Sequence, residues 1–316
     1  MIVFGPVPSR RLGRSLGINN IPPKICSYSC IYCQLGRTLK MQTSRKEFYK
    51  PKDIYREVEE KIKKIKNRKE TVDYLTFVPD GEPTLDINLG REIEDLKPIG
   101  IKIAVITNSS LIWREDVQRD LSQADLVSIK IDTVDENIWR KINRPHPDLN
   151  LEDILDGISI FSREFKGVIY TETMLIDNIN DSEDILRDTA DFISKISIDK
   201  SYISIPIRPP AEREIRIPSE ENLNKAYNIF REKNIDVEYL IGYEGNEFSS
   251  TGNIREDILS ITSVHPIRED GLKKLLRKAD IKWDIVEELI AKEELKEVVY
   301  RDKKFYIRNL SKQRWW

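Results

Sequence analysis

Short runs of apolar, often β-branched residues alternate with amphipathic stretches along most of this chain. Seven runs are predicted to be strands: 16–19, 74–78, 101–107, 126–131, 167–175, 202–207 and 237–241. The stretches between them have helical spacing, predicted at 51–66, 89–96, 114–121, 135–142, 151–161, 181–193 and 219–233. Strand–helix alternation of this kind predicts an α/β fold, with a parallel sheet and helices outside it.

The number of strand–helix units limits the architecture. About six units are fewer than the eight that close a full barrel, so periodicity leaves a partial (β/α)6 barrel and an open doubly wound sheet as alternatives. Residues 244–254 are turn-rich and predict a linker after a domain of residues 1–243. In residues 255–316, predicted helices at 268–278 and 283–291 precede strands at 295–300 and 304–308. This order predicts a small winged-helix-like C-terminal domain.

Charge is distributed unevenly along the chain. The formal net charge is −2, yet residues 1–50 carry nine Lys and Arg against the single acid Glu47. No apolar run approaches the roughly 20 residues of a transmembrane helix, and the N-terminus lacks the pattern of a signal peptide. We therefore expect a cytoplasmic protein that is not embedded in a membrane.

The three cysteines of the chain, Cys26, Cys30 and Cys33, lie within eight residues of each other. Thiolates are preferred ligands of zinc and of iron–sulfur clusters. A structural zinc site normally has four protein ligands, but His146 and His265, the two histidines, are more than a hundred residues away. The count favours a [4Fe-4S] cluster with one iron open to a small molecule.

This cysteine pattern, with Tyr32 directly before its last member, resembles the signature of the radical S-adenosylmethionine (SAM) enzymes. The resemblance implies a partial TIM-type barrel and a cluster whose open iron binds the amino and carboxylate groups of SAM. It also implies that one electron cleaves SAM to methionine and a 5′-deoxyadenosyl radical, which abstracts hydrogen from the substrate. A low-potential electron donor, ferredoxin or flavodoxin, would then be a partner.

A second motif resembles the Gly-Gly-Glu-Pro loop with which this family holds the SAM amino group. Asp80 stands where the first Gly is usual, and the rest of the motif matches. The alternative interpretation is an ordinary turn after a strand. By the same resemblance, polar residues at the ends of the next two strands are expected to contact SAM, although Asn108 could instead cap a helix. The expected SAM contacts are Tyr32, Gly81, Glu82, Pro83, Asn108, Ser128 and Asp132.

Other polar residues are candidates for contacting a substrate. Alternation places Ser128, Lys130 and Asp132 on one strand face, and a buried polar face of this kind indicates a ligand cavity. Arginines shortly before the cysteines suit phosphate or carboxylate groups, with a solvated basic face as the alternative. The candidate substrate residues are Arg10, Arg11, Arg14, Lys130, Glu172 and Arg208. The alternative for Glu172 is a satisfied core pair with Met174, and the alternative for Arg208 is a salt bridge.

Residues 132–145 are similar to a segment of the radical SAM enzymes that build the tricyclic wyosine base of tRNA, and residues 4–17 resemble a wider group of wyosine-synthase-like iron–sulfur oxidoreductases. True wyosine synthases carry a second cluster with further cysteines, which this chain lacks. Residues 301–316 form a basic end with a terminal Trp315-Trp316 pair, which could contact nucleic acid, with a frayed tail as the alternative. We therefore predict modification of an anionic, tRNA-like or nucleotide-like substrate. The alternatives are radical modification or activation of a protein or peptide, and a non-enzymatic metal-bearing winged-helix regulator.

Overall fold

The computed structural model describes residues 2–242, 248 and 252–309. The strands are β1 (Val3–Ser9), β2 (Gly13–Ile18), β3 (Ile25–Cys26), β4 (Lys40–Met41), β5 (Tyr74–Phe77), β6 (Lys102–Thr107), β7 (Leu126–Lys130), β8 (Val168–Met174), β9 (Lys200–Ser204), β10 (Val237–Leu240), β11 (Ile267–Arg268), β12 (Leu295–Tyr300) and β13 (Lys303–Arg308). The helices are α1 (Pro51–Asn67), α2 (Leu89–Leu96), α3 (Glu115–Leu121), α4 (Glu136–Asn143), α5 (Leu151–Glu164), α6 (Glu183–Ile193), α7 (Glu220–Glu232), α8 (Ile254–Val264), α9 (Glu269–Lys278) and α10 (Asp284–Ala291). Across these ranges every helix is too short or too polar to span a bilayer.

Eight strands form one curled sheet in the order β1-β2-β5-β6-β7-β8-β9-β10. From β2 to β10 all neighbours are parallel, and helices connect them on the outside. This is a partial TIM-type barrel, so the predicted α/β class and partial barrel are confirmed. The strand whose bounds differ most from the prediction is β9. It runs from Lys200 to Ser204, whereas the sequence predicts a strand at 202–207.

The connecting helices follow from their apolar spacing. Helix α1 begins at Pro51, which suits the first turn of a helix, and buries Ile54, Val58 and Ile62 against the sheet. Helix α5 is capped by Asn150, whose side chain accepts from the first-turn amides. These apolar faces cover the outer side of the sheet, so the carboxyl ends of the parallel strands stay available for a site.

The strand β1 was not predicted, because it contains two prolines that its edge position in the sheet tolerates. It runs antiparallel to β2 at the edge of the sheet, where Pro6 and Pro8 are tolerated because an edge strand need not donate every amide. Prolines obscured the strand pattern in the sequence. Gly17 of β2 is required by this pairing, since a Cβ there would lie 1.9 Å from the Phe4 ring.

The turn between β1 and β2 closes the amino end of the barrel. Leu12 is buried there with Ala104 and Leu126, and Tyr74 and Tyr170 pack around them. The segment 4–17, singled out by its resemblance to a subgroup, therefore folds as a hairpin whose turn plugs the barrel. As a result, the cavity in the barrel opens at the opposite end, where the strands finish.

The C-terminal region has more elements than the sequence predicted. Helices α9 and α10 and strands β12 and β13 were predicted, whereas α8 and β11 were not. The three strands form an antiparallel sheet in the order β11-β13-β12. Helix α8 packs on β1, so the C-terminal core includes Phe4 and Val7 of the barrel sheet. The winged-helix assignment and the domain boundaries stay predictions, and most of the predicted linker lies outside the described residues.

Candidate active site

The three cysteines lie in the loop that follows the carboxyl end of β2. Cys26 is in the short strand β3, which pairs with β4, and the Cys33 amide donates to the Cys30 carbonyl at 3.1 Å. None of the three is in a disulfide. All three line one cavity of about 330 Å³ at the barrel mouth, so the loop presents its thiols to a space that can hold a ligand.

The chemistry of the three thiols is that of iron–sulfur cluster ligands. Among the described residues, no three Cys, His, Asp or Glu side chains converge on a point that could hold a single metal ion. In a [4Fe-4S] cluster each cysteine binds a different iron, so the sulfurs need not meet at one centre. Burial raises the pKa of Cys30 to about 12, and metal binding is what deprotonates such a thiol. The donor set therefore fits the cluster.

Two side-chain amides approach the sulfurs. Asn108 Nδ2 lies 3.4 Å from Cys26 Sγ, and Asn143 Nδ2 lies 3.5 Å from Cys30 Sγ. Hydrogen bonds to cysteine sulfurs adjust the reduction potential of iron–sulfur centres. Asn108 was predicted as a SAM contact, whereas Asn143 was not singled out, although it lies in the segment 132–145 that resembles other family members.

The Gly-Glu-Pro loop lies directly against the cysteine loop. A Cβ on Gly81 would be 1.8 Å from the Ile25 carbonyl oxygen, so only glycine allows this approach. Glu82 is almost fully buried and lines the cavity. Pro83 opens a short 3-10 turn, and Asn20 donates to its carbonyl at 3.2 Å. Thus Pro83 supports the loop without lining the cavity.

Glu82 is held by four hydrogen bonds from its own neighbourhood. Oε1 accepts from the Thr84 amide at 3.1 Å and from the Thr84 and Thr107 hydroxyls at 2.7 Å, and Oε2 accepts from the Asn108 amide at 2.7 Å. Burial raises the pKa of Glu82, and these donors oppose that rise. The carboxylate is thereby fixed at the cavity wall, where it can accept from an amino group.

Asp80, which replaces the usual glycine, is buried behind this loop. Among the described residues neither of its carboxyl oxygens has a hydrogen-bond partner, and burial raises its pKa to about 8. Burial therefore favours the protonated form of this side chain. It does not line the cavity.

Asp132 joins the cysteine loop to the barrel. It accepts from the Tyr32 hydroxyl, from Asn143 Nδ2 at 2.8 Å and from the Met174 amide at 2.9 Å. Burial, followed by the charge of Asp132, raises the pKa of Tyr32 well above its usual value. Tyr32 lines the main cavity and Asp132 lies beside it. The geometry makes Asp132 an anchor for Tyr32, and a direct contact with SAM stays a prediction for both.

Charged side chains form the floor of the cavity. Arg11 Nη1 donates to Glu172 Oε2 at 2.6 Å and to Ser128 Oγ at 2.9 Å. Lys130 Nζ and Ser204 Oγ donate to Glu172 Oε1 at 2.8 and 2.9 Å. Although burial acts to raise it, the pKa of Glu172 lies well below its usual value because Lys130 and Arg11 stabilise the carboxylate. The predicted substrate residues Arg11, Lys130 and Glu172 are thus brought together, and Ser128 supports them.

The remaining predicted arginines are separated by the fold. Arg14, at the amino end of β2, pairs with Glu70. Arg10 is exposed in the β1–β2 turn. Neither lines the cavity, whereas Arg208 does. The fold therefore does not bring Arg10 and Arg14 together with Arg208 in the cavity lining.

The C-terminal region completes the cavity wall at Arg208, through contacts that the sequence did not reveal. Arg208 Nη2 lies 3.0 Å from His265 Nε2, and Nη1 donates to Gln34 Oε1 at 3.2 Å. Gln34 Nε2 in turn donates to the Val264 carbonyl at 2.9 Å. Burial, with the charge of Arg208, lowers the pKa of His265 well below its usual value. The ring is therefore neutral and can accept from the guanidinium.

The fold and the site define a class: a partial barrel that carries an iron–sulfur centre and a SAM pocket at the carboxyl ends of its strands. The pattern of the radical SAM superfamily matches residues 20–193. The chain belongs to this superfamily and, within it, to the UPF0026 family. It is 52% identical over 312 residues to UPF0026 protein MJ1312 of Methanocaldococcus jannaschii, covering 98% of this chain and 96% of that protein. The protein is therefore an enzyme whose cofactors are a [4Fe-4S] cluster and SAM.

One solved structure of a related fold supports the partial barrel. A radical SAM methyltransferase from Sphaerobacter thermophilus matches with a TM-score of 0.54 at 15% identity, over 72% of this chain and 66% of that one. A TYW1 structure with a bound lysine-pyruvate adduct covers 93% of this chain and 80% of its own, with a TM-score of 0.45 and 15% identity. The first likeness supports the partial barrel, and the second is too distant to bear on the substrate.

Proposed function

We propose that this enzyme cleaves SAM to modify an anionic substrate, tRNA or a nucleotide-like molecule. The observation that carries the proposal is the charge of the cavity lining, where Arg11, Lys130 and Arg208 stand against the acids Glu82 and Glu172 among the described residues. By the family resemblance Glu82 receives the SAM amino group, which leaves three cations facing one lining carboxylate. Arginine and lysine in such a setting suit carboxylate and phosphate groups.

Basic residues at the cavity rim extend this argument to a larger anion. Arg37 and Arg144 share the single carboxylate of Glu212, and both guanidinium groups are substantially exposed. The Glu212 amide donates to the Ile31 carbonyl at 3.0 Å, so this rim adjoins the cysteine loop. Phosphates that flank a modified nucleotide could bind here while the base enters the cavity.

The test is tRNA binding by the reconstituted enzyme as a function of salt. Phosphate contacts give a steep negative slope of log affinity against log salt. We expect such a slope, reduced by about 1 in the Arg144→Gln variant, with the exposed Arg163→Gln on α5 as the matched control. In parallel, tRNA should increase formation of 5′-deoxyadenosine. A flat salt response together with no stimulation would refute the RNA proposal.

A groove favours the second candidate, modification of a protein or peptide. About 420 Å³ of space lies between the edge strand β12 and the loop after β9, lined by Pro209, Pro210 and Tyr300 among others. An exposed strand edge can pair with an extended peptide. Stimulation of SAM cleavage by nuclease-treated protein extract, and not by RNA, would favour this alternative.

The third hypothesis, a non-enzymatic regulator, is wrong because the chain belongs to an enzyme superfamily. The cytoplasmic location stays a prediction.

A further inference from the structure

The outer side of the cysteine loop is covered by one well-anchored segment. Lys40 and Met41 pair with Ile25 and Cys26 in a small parallel sheet. The Thr38 hydroxyl donates to the Tyr28 carbonyl at 2.6 Å, and other backbone hydrogen bonds join residues 36, 39 and 42 to the loop. Residues 36–42 therefore lie directly against the cysteine loop.

This surface combines apolar and basic side chains. Leu39 is 77% exposed, more than any other large apolar residue among those described, and Ile87 is 53% exposed. The pKa of Lys46 is lowered first by partial desolvation and then by the positive charge of Lys40, so the two lysines lie close together. The Ile87 amide donates to the Lys46 carbonyl. We call Leu39, Lys40, Lys46 and Ile87 the outer face. Of the four Lys and Arg in residues 34–46, Arg37 and Arg45 pair with acids from other segments, so Lys40 and Lys46 supply the positive charge of the outer face.

We propose that the outer face is the docking surface for a small acidic electron-carrier protein with a flavin or iron–sulfur centre. The proposal rests on the need of a radical SAM enzyme for an external reductant, not on the identity of the substrate. In each encounter one electron leaves the reduced centre of the carrier and enters the centre held by Cys26, Cys30 and Cys33. The carrier is oxidised by one electron, and no proton or further reactant is required.

Position and chemistry both favour this occupant. Electron transfer slows steeply with distance, so a carrier must approach the cysteine loop closely, and the cavity side is reserved for SAM and substrate. Exposed apolar side chains among lysines match a protein partner with an apolar centre and an acidic rim. Nucleic acid would use the lysines, but Leu39 and Ile87 would gain little from phosphates.

The experiment compares two reductants with the same enzyme. In the variant Lys40→Glu/Lys46→Glu we expect the Kd for purified oxidised flavodoxin, measured by calorimetry at low salt, to rise at least tenfold. SAM cleavage driven by limiting reduced flavodoxin should fall by a similar factor, whereas cleavage driven by dithionite should stay within twofold. Leu39→Ser should weaken flavodoxin binding with a smaller dependence on salt.

The matched control is Lys166→Glu/Lys195→Glu, which reverses two exposed charges before β8 and β9 at the opposite end of the barrel. It should behave as wild type in both assays. Unchanged flavodoxin affinity in the outer-face variants would refute the proposal. So would an equal loss with dithionite, or a loss of tRNA affinity alone. Because SAM cleavage is measured without substrate, failure of the substrate proposal leaves this test intact.

Discussion

The hydrogen bonds among Arg11, Glu172 and Lys130 predict unequal losses of stability when different members of the group are replaced. In Glu172→Gln, Arg11 and Lys130 lose the carboxylate that both contact; removing one partner of a buried ion pair costs about 3–5 kcal/mol. In Arg11→Met, Glu172 keeps its bonds to Lys130 and Ser204. That variant loses hydrogen bonds to a charged group, which costs about 1.5–3 kcal/mol. We therefore expect Glu172→Gln to be the more destabilised variant by about 2 kcal/mol.

The assay is anaerobic urea unfolding of the reconstituted protein, followed by tryptophan fluorescence and far-ultraviolet circular dichroism. The double variant Arg11→Met/Glu172→Gln should cost less than the sum of the single changes by about 1 kcal/mol or more, since the residues are in contact. If Arg11→Met were as damaging as Glu172→Gln, or if the two changes were additive, the shared-carboxylate interpretation would be wrong.

Three further predictions concern the site and its surroundings. Cys30→Ala should lose most of the iron that wild type retains after anaerobic reconstitution, about four per chain, and should form no 5′-deoxyadenosine; wild-type iron content would contradict the cluster assignment. Glu82→Gln places an amide against donors that now face a carboxylate, so we expect at least tenfold weaker SAM binding by calorimetry and a loss of about 2 kcal/mol of stability; unaltered SAM affinity would remove Glu82 from the pocket. Because the folded pKa of Glu172 is depressed, its contribution to stability is present above its unfolded pKa of about 4.3 and is lost as the pH falls further. Melting temperatures from pH 6 to pH 3.5 should thus fall less steeply in Glu172→Gln than in wild type, and parallel curves would argue against an ionised Glu172.

The sequence predicted the strands and local motifs well because their signals are local. Each parallel strand is a short β-branched run bounded by polar residues, and the cysteine and Gly81-Glu82 motifs are contiguous. Strand β1 was missed because Pro6 and Pro8 resemble a loop. Helix α8 was missed because its Ser, Thr and Ile content gives little helical preference, and it is stabilised by packing on β1.

Contacts between distant segments could not be predicted in the same way. Asn143 reaches Cys30 across more than a hundred residues, and Gln34 reaches Val264 across 230. No spacing rule connects such positions, because the barrel topology alone decides which strand ends meet. For the same reason, Arg10, Arg11 and Arg14, which are close in sequence, are divided between the exposed turn, the cavity floor and the amino end of β2.

The packing of α8 on β1 has a consequence for how the chain folds during synthesis. Phe4 and Val7 are synthesised before their partners Ile258 and Ile261, which follow about 250 residues later. At about 5–20 residues per second this delay amounts to about 12–50 s. We expect the barrel edge to carry uncovered apolar side chains for that whole period, so the nascent chain should depend on chaperones until residues 254–308 have been made.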